Sequence, residues 1–153
     1  MEEMIAPYRK LYRLVEGRSS RREYWLFFLL ALVLHVIPVL LLSSAIGGLG
    51  ALDPQAAGRA MAGMGMMALL MMVPLYLILG VTWVAMIAVS IRRLHDAGLT
   101  GWIYFGLLLA NLVPLVNLFA WIAYLGLMAM PGTPGPNRYG ERPDDAEQAS
   151  AFA

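Results

Sequence analysis

The hydrophobic pattern divides the chain into three uncharged stretches, and all of its Asp, Glu, Lys and Arg residues lie between or outside them. The stretches run from Tyr24 to Leu52, from Ala60 to Ile91 and from Ala97 to Asn137. A helix needs about 20 apolar residues to cross a hydrocarbon layer of about 30 Å, and each stretch is longer than that. The pattern therefore predicts an all-α integral membrane protein.

A shorter periodicity precedes the first stretch. Apolar residues recur every three or four positions from Met4 to Val15, while Arg9, Lys10 and Arg13 lie on the opposite side. This spacing is typical of an amphipathic helix at a membrane interface, and we expect one over about 4–15. Attraction to anionic head groups and packing against the other helices are both consistent with such a helix.

The first span is predicted over about 24–46. Ser20 and Glu23 have the spacing of a capping box, in which each residue bonds the other's amide at a helix start. Tyr24 and Trp25 follow as interfacial anchors. The span contains His35 at mid-depth, where an ionisable side chain is costly and often functional. A neutral ring bonded to a helix carbonyl is the interpretation we favour for it.

The second span is predicted over about 65–91, and Gly98 is well placed for the left-handed residue that closes its helix. Six methionines lie between Met61 and Met72. Thioethers can bind Cu(I), but Met is also an ordinary apolar residue that fills gaps. Because no His or Cys accompanies these methionines, we expect no metal site and no cofactor.

The third stretch is too long for one helix of modest tilt, since residues 102–130 would extend about 43 Å. Asn111, Pro114 and Asn117 form a polar break roughly midway. We predict a kinked helical hairpin with legs over 102–112 and 114–130, whose first leg either crosses fully or is re-entrant. A single kinked helix is the alternative. The fold is thus a small helical bundle with two full spans and the hairpin, or three to four membrane segments.

Composition and charge predict the domain organisation and the membrane topology of the chain. The 153 residues are 60% hydrophobic and only 14% charged, against about 25% in a soluble domain. We expect one membrane domain over 1–140 and a disordered acidic tail over 141–153. Six of the eleven basic residues precede the first stretch, so the N-terminus is predicted to be cytoplasmic. The hairpin would bring the C-terminus to the same side.

Three motifs carry a family resemblance: GRSSRREYW at 17–25, RRLHDAGLTGW at 92–102 and PGTPGPNRYG at 131–140. Together they resemble the signatures of domain-of-unknown-function family 805, which are small bacterial inner-membrane proteins. The resemblance covers most of the chain, from about Gly17 to Gly140. It implies a multi-pass helical bundle in a bacterial inner membrane, and it supplies no catalytic residues.

If the chain forms the hairpin, these motifs meet on the cytoplasmic side, where Glu23 and Asp96 could each pair with an arginine. Two interpretations of this candidate site stay open, an internal salt-bridge network and a site for the phosphate of an anionic head group or a lipid-linked metabolite. We favour the network. The candidate residues are Arg18, Arg21, Arg22, Glu23, Arg92, Arg93, His95, Asp96, Asn137 and Arg138.

An enzyme is not expected. His95 and Asp96 are adjacent on a helix and project about 100° apart, and no phosphate-binding glycine loop is present. We predict a structural or anionic-lipid-interacting protein whose partners are membrane lipids, with a second copy or another membrane protein as further candidates and no nucleic acid. The alternative is a small oligomeric transporter or channel subunit, because broken helices line substrate sites in transporters.

Overall fold

The structure is a computed structural model that describes residues 2–11, 14–52, 55, 58–59 and 65–143. Its described part contains helices, turns and one isolated bridge between Asn137 and Gly140, which confirms the all-α class for these residues. The tail over 144–153 and two of the six methionines, Met61 and Met64, lie outside this part. The helices with defined bounds are α1 (Glu2–Arg9), α2 (Arg21–Leu52), α3 (Gly65–Asp96), α4 (Trp102–Ala110) and α5 (Val116–Ala129).

Two of these helices are long enough to cross a membrane. Helices α2 and α3 have 32 residues each, or about 48 Å at 1.5 Å per residue. The apolar segments that meet the length and composition of a span are Arg21–Leu41 and Val73–Asp96. Both fall where the sequence predicted spans, whereas the total number of crossings stays a prediction.

Helix α1 is shorter than the sequence predicted, because it ends at Arg9 instead of near residue 15. The amide of Lys10 still donates to the carbonyl of Ala6 at 3.0 Å. The carbonyl of Lys10, which would accept the next bonds of a continuing helix, lies 3.5 Å from Arg92 Nη1 instead. Because Arg92 is distant in the sequence, the local periodicity of residues 4–15 could not predict this contact.

The predicted helix ends are largely confirmed. Ser20 caps α2, since its Oγ accepts from the amide of Glu23 at 3.1 Å. The other half of the predicted capping box differs, because the carboxylate of Glu23 accepts from Lys10. At the end of α3, Gly98 is left-handed with φ of 77°, and the amides of Gly98 and Leu99 donate to carbonyls of the last turn in a Schellman arrangement.

Helices α4 and α5 form a hairpin around a turn at 111–115. Tyr104, near the start of α4, meets Tyr124, in the second half of α5, with ring centroids 6.1 Å apart. The two helices therefore run antiparallel, and the alternative of one kinked helix is wrong. The turn includes Leu115, a non-glycine residue with a positive φ of 69°.

The described chain divides into two compact units. The terminal unit contains the residues up to Phe28 and those from Ala85 on, and its core includes Phe27, Leu94 and Met128. The middle unit is Leu29–Val84, and most of the large apolar side chains that the structure describes in it are exposed. Within it, His35 Nδ1 lies 2.7 Å from the carbonyl of Ala31, as the favoured interpretation of this residue requires. The single domain over 1–140 stays a prediction.

Candidate functional site

Asp96, the last residue of α3, is the centre of a buried ionic network. Its Oδ1 accepts from Arg18 Nε at 2.9 Å and lies 2.8 Å from Arg18 Nη2. Its Oδ2 accepts from Arg93 Nη1 at 2.5 Å. The side chains of both arginines are fully buried. A single carboxylate therefore joins two guanidinium groups, one just before α2 and one on the last turn of α3.

Arg18 also fixes the glycine- and proline-rich loop at 131–140. Its Nη1 donates to the carbonyl of Gly135 at 2.7 Å, and its Nη2 donates to the carbonyl of Thr133 at 2.8 Å. Both bonds span more than 100 residues of sequence. The arginine is thus a link between the segment before α2 and the segment after α5.

The loop in turn satisfies the end of α3. The amide of Thr133 donates to the carbonyl of Asp96 at 2.8 Å, and Asn137 Nδ2 donates to the carbonyl of His95 at 2.9 Å. Gly132 lies against the Asp96 carboxylate so closely that a Cβ there would come within 2.7 Å of Asp96 Cγ. Only glycine permits this approach, so the sequence of the loop is matched to the ionic centre.

Arginines also cap the C-terminal end of α5. Arg93 Nε donates to the carbonyl of Met128 at 3.2 Å, and its Nη2 donates to the carbonyl of Met130. Arg21 Nη1 donates to the carbonyl of Ala129 at 3.4 Å. The last carbonyls of a helix lack partners within the helix and carry partial negative charge. Two cationic side chains therefore supply hydrogen-bond donors to this end.

A second ionic pair lies beside the first network. Glu23 is buried, and Lys10 Nζ lies 3.0 Å from both of its carboxylate oxygens. Arg92 is also buried, and its Nε donates to Ser19 Oγ at 3.2 Å. The amide of Ser19 returns a bond to the carbonyl of Arg92. The carboxylate of Glu23 thus contacts a lysine, and its predicted pairing with an arginine stays a prediction.

His95 and Tyr139 stack face to face, with ring centroids 3.7 Å apart and planes inclined by 2°. The guanidinium carbon of Arg138 lies 4.7 Å from the centroid of the same tyrosine. Since both oxygens of Asp96 accept from arginines, that carboxylate does not orient the imidazole of its neighbour. The stack packs His95 against the loop at 131–140.

A chain of hydroxyl groups joins three helices of the terminal unit. Tyr24 donates to the Tyr124 hydroxyl at 2.7 Å, and that hydroxyl lies 2.9 Å from Ser90 Oγ. Ser90 Oγ donates to the carbonyl of Met86 at 2.7 Å. The prediction that Tyr24 is an interfacial anchor is wrong, because its side chain is fully buried. A hydroxyl in an apolar core needs a polar partner, and this one finds it 100 residues away.

The structure thus brings most of the predicted site residues together. Arg18, Arg93 and Asp96 form one network, and Asn137 donates to the carbonyl of His95 beside it. Glu23 pairs with Lys10, and Arg92 bonds Ser19. Arg21, Arg22 and Arg138 are exposed. Sequence reasoning missed Lys10, Ser19, Gly132, Thr133 and Tyr139, although three of them belong to the PGTPGPNRYG motif and Ser19 belongs to the first. We call the ionic set, comprising Lys10, Arg18, Arg21, Glu23, Arg92, Arg93 and Asp96, the arginine network.

Two further features bear on chemistry. Among the described residues, no group of three His, Cys, Asp or Glu side chains could hold a metal ion. In the hairpin, Asn111 Nδ2 donates to the carbonyl of Leu107 at 2.8 Å. The polar side chain at the break therefore bonds its own helix.

The comparisons with known proteins agree with this architecture. The family described as protein of unknown function (DUF805) matches residues 12–141. The inner membrane protein YhaH of Escherichia coli K12 is 29% identical over 127 residues, which cover 83% of this chain and 84% of the relative, and the protein of the same name from strain O157:H7 gives the same values. No solved structure matches. With two helices apolar and long enough to span a bilayer, the chain is a membrane protein that belongs to the DUF805 family.

Proposed function

We propose that this chain is a non-enzymatic, multi-pass component of the bacterial inner membrane that binds anionic phospholipid head groups at its arginine-rich end. The observation that supports this proposal is that the arginines at this end fall into a buried set and an exposed set. Arg18 and Arg93 are buried and donate to Asp96 and to backbone carbonyls. Arg21 and Arg22, in the first turn of α2, are exposed. The buried set holds the helix ends, and the exposed set lies at the surface, where Arg21 also donates to the carbonyl of Ala129.

The charge balance favours an anionic ligand. The arginine network contains two carboxylates, Glu23 and Asp96, and five basic side chains. Exposed Arg22 and Arg138 belong to the same unit, which also contains the exposed acids Glu16 and Glu141, so the excess of bases lies in the network itself. Basic clusters at the cytoplasmic ends of membrane helices attract anionic lipids by about 1 kcal/mol per basic residue.

The same contacts support a cytoplasmic location for both termini. Most basic residues precede the first span, which by the positive-inside rule retains the N-terminal segment in the cytoplasm. Arg18, in that segment, bonds the carbonyls of Thr133 and Gly135 after the last helix. The loop at 131–140 must therefore be on the same side as Arg18.

An enzymatic role has little support from the geometry. Histidine and aspartate form an acid–base pair when the carboxylate orients the imidazole. Here Asp96 accepts from two arginines, and His95 stacks on Tyr139. These groups are engaged in holding the loop at 131–140 on α3.

Native mass spectrometry of the purified protein tests the lipid proposal. We expect preferential retention of phosphatidylglycerol over phosphatidylethanolamine, which has no net charge. The double variant R21Q/R22Q should lose this preference, by about fivefold for each arginine that contacts a phosphate.

The control is R59Q, which removes one positive charge from an exposed arginine between the two long helices. It should retain phosphatidylglycerol like the original protein. Equal retention of the two lipids by the unaltered protein, or the same loss in R59Q, would overturn the proposal.

A further inference from the structure

The hairpin of α4 and α5 is too short to cross a bilayer. Helix α4 has 9 residues and α5 has 14, so they extend about 14 Å and about 21 Å. A hydrocarbon layer of about 30 Å requires about 20 helical residues in each leg. The geometry therefore does not fit two complete spans.

Bonds to the arginine network set the depth of the hairpin tip. The carbonyl of Met128 accepts from Arg93, so this end of α5 lies at the level of the network. Val116, where α5 begins, precedes Met128 by about 12 residues, or about 18 Å along the helix axis. Because so many charged groups are costly deep in the hydrocarbon, the network belongs near the membrane surface. The tip then lies close to the middle of the layer.

The surface of the tip is apolar. Leu112 is 76% exposed and Leu115 is 85% exposed, and Phe119 on the next turn of α5 is also mostly exposed. No charged residue occurs anywhere from Ala97 to Asn137. A turn that emerged into water on the far side would expose this apolar area at a cost of about 25 cal/mol per Å². The apolar surface of the tip is therefore suited to contact with lipid acyl chains.

The backbone of the turn also suits an apolar environment. Irregular backbone at membrane depth is tolerated where its polar groups are satisfied. Pro114 has no amide hydrogen to satisfy. Local bonds serve the neighbouring amides: Asn111 donates to Leu107, Leu112 to Leu109, Val113 to Ala110 and Asn117 to Val113, at 3.0 to 3.2 Å. The turn thus supplies acceptors for these amides from within the hairpin.

We propose that α4 and α5 form a re-entrant hairpin that enters and leaves the membrane on the side of the arginine network. Its tip contacts acyl chains near the bilayer middle, and the protein crosses the membrane twice, through α2 and α3. The hairpin inference is independent of head-group binding, because it rests on helix length and on the apolar tip.

Single-cysteine variants test the inference directly, since the natural sequence contains no cysteine. A nitroxide is attached to L112C, F119C or I122C, which are exposed positions along the hairpin. Its accessibility to oxygen and to a water-soluble nickel chelate is then measured in vesicles. A re-entrant hairpin gives the greatest depth at L112C and a steady decrease through F119C to I122C. A crossing hairpin gives the greatest depth within α5 and renewed nickel accessibility at L112C, which would overturn the proposal.

Two controls define the aqueous limit. Q55C and E141C lie at exposed positions outside the hairpin and should both be fully accessible to nickel. V113C, also exposed in the turn, repeats the tip measurement if L112C does not insert. Disulfide formation between two copies through L112C in the vesicles would show that a second copy covers the tip, and would overturn the contact with acyl chains.

Discussion

The terminal unit and the middle unit use their side chains in opposite ways. In the terminal unit, Arg92 and Arg93 are among the largest fully buried side chains. In the middle unit, Leu40, Leu41 and Leu77 are each more than half exposed. Soluble proteins show the reverse, since arginine is rarely buried and leucine usually is. Because lipid is as apolar as leucine, apolar contacts drive little association between membrane helices, and polar bonds supply the specificity.

The hydrogen bonds of the two units also differ in the sequence separation of their partners. In the middle unit, His35 and Thr82 each bond a carbonyl four residues earlier in the same helix. In the terminal unit, Arg18 bonds partners that are 78 and 117 residues away. The comparison indicates that the tertiary structure of the terminal unit depends on a few charged groups. Three pairs of variants test this dependence and the contrast between the units.

The largest effect is expected for D96N. The substitution places an amide in a site where both oxygens accept from arginines, and it leaves two buried guanidinium groups without their counter-charge. Removing one partner of a buried ion pair costs about 3–5 kcal/mol. The apparent melting temperature of the purified protein in detergent should fall steeply. E141Q removes an exposed carboxylate and should change it little; equal shifts in the two variants would contradict the role of Asp96.

An intermediate effect is expected for G132A. The added methyl group would collide with the Asp96 carboxylate and push the loop at 131–140 from α3. Overpacking of this kind costs about 1–3 kcal/mol. G126A, within α5, is the matched control, because a Cβ there meets no atom within 4 Å and alanine favours helix. Thermal unfolding of both variants should show a loss for G132A alone, and a stable G132A would mean that the loop does not pack as described.

The smallest effect is expected for L40A, which removes an exposed leucine from the middle unit. Surface substitutions usually change stability by about 0.5 kcal/mol or less. L94A makes the same change in the core of the terminal unit, where such truncations cost about 2–5 kcal/mol. The decrease in melting temperature should be small for L40A and large for L94A. Similar decreases in the two variants would contradict the difference between the units.

Local features of the fold follow from short segments of the sequence. The apolar stretches, the cap at Ser20 and the left-handed Gly98 depend on residues within a few positions of each other, and the structure contains all of them. The reversal at Asn111 and Pro114 is predictable because a single helix would be too long. The end of α1 is not, because Arg92, remote in sequence, bonds the carbonyl of Lys10.

For the candidate site, residue types could be predicted but partners could not. Arginine-rich motifs indicate a charged cluster, yet nothing in their spacing indicates that Asp96 binds Arg18 and Arg93 together, or that Glu23 binds Lys10. The stack of His95 on Tyr139 was missed for the same reason. Each of these contacts except the one between Arg93 and Asp96 joins segments that are distant in the sequence.

The sequence by itself determined that this is a helical membrane protein with a basic N-terminal segment and a broken third stretch, because helix length, polarity and capping follow from neighbouring residues. Tertiary structure alone decided which charges are buried and paired, and which are exposed. A guanidinium leaves water only where several acceptors converge on it, and here those acceptors come from the segment before α2, the end of α3 and the loop after α5.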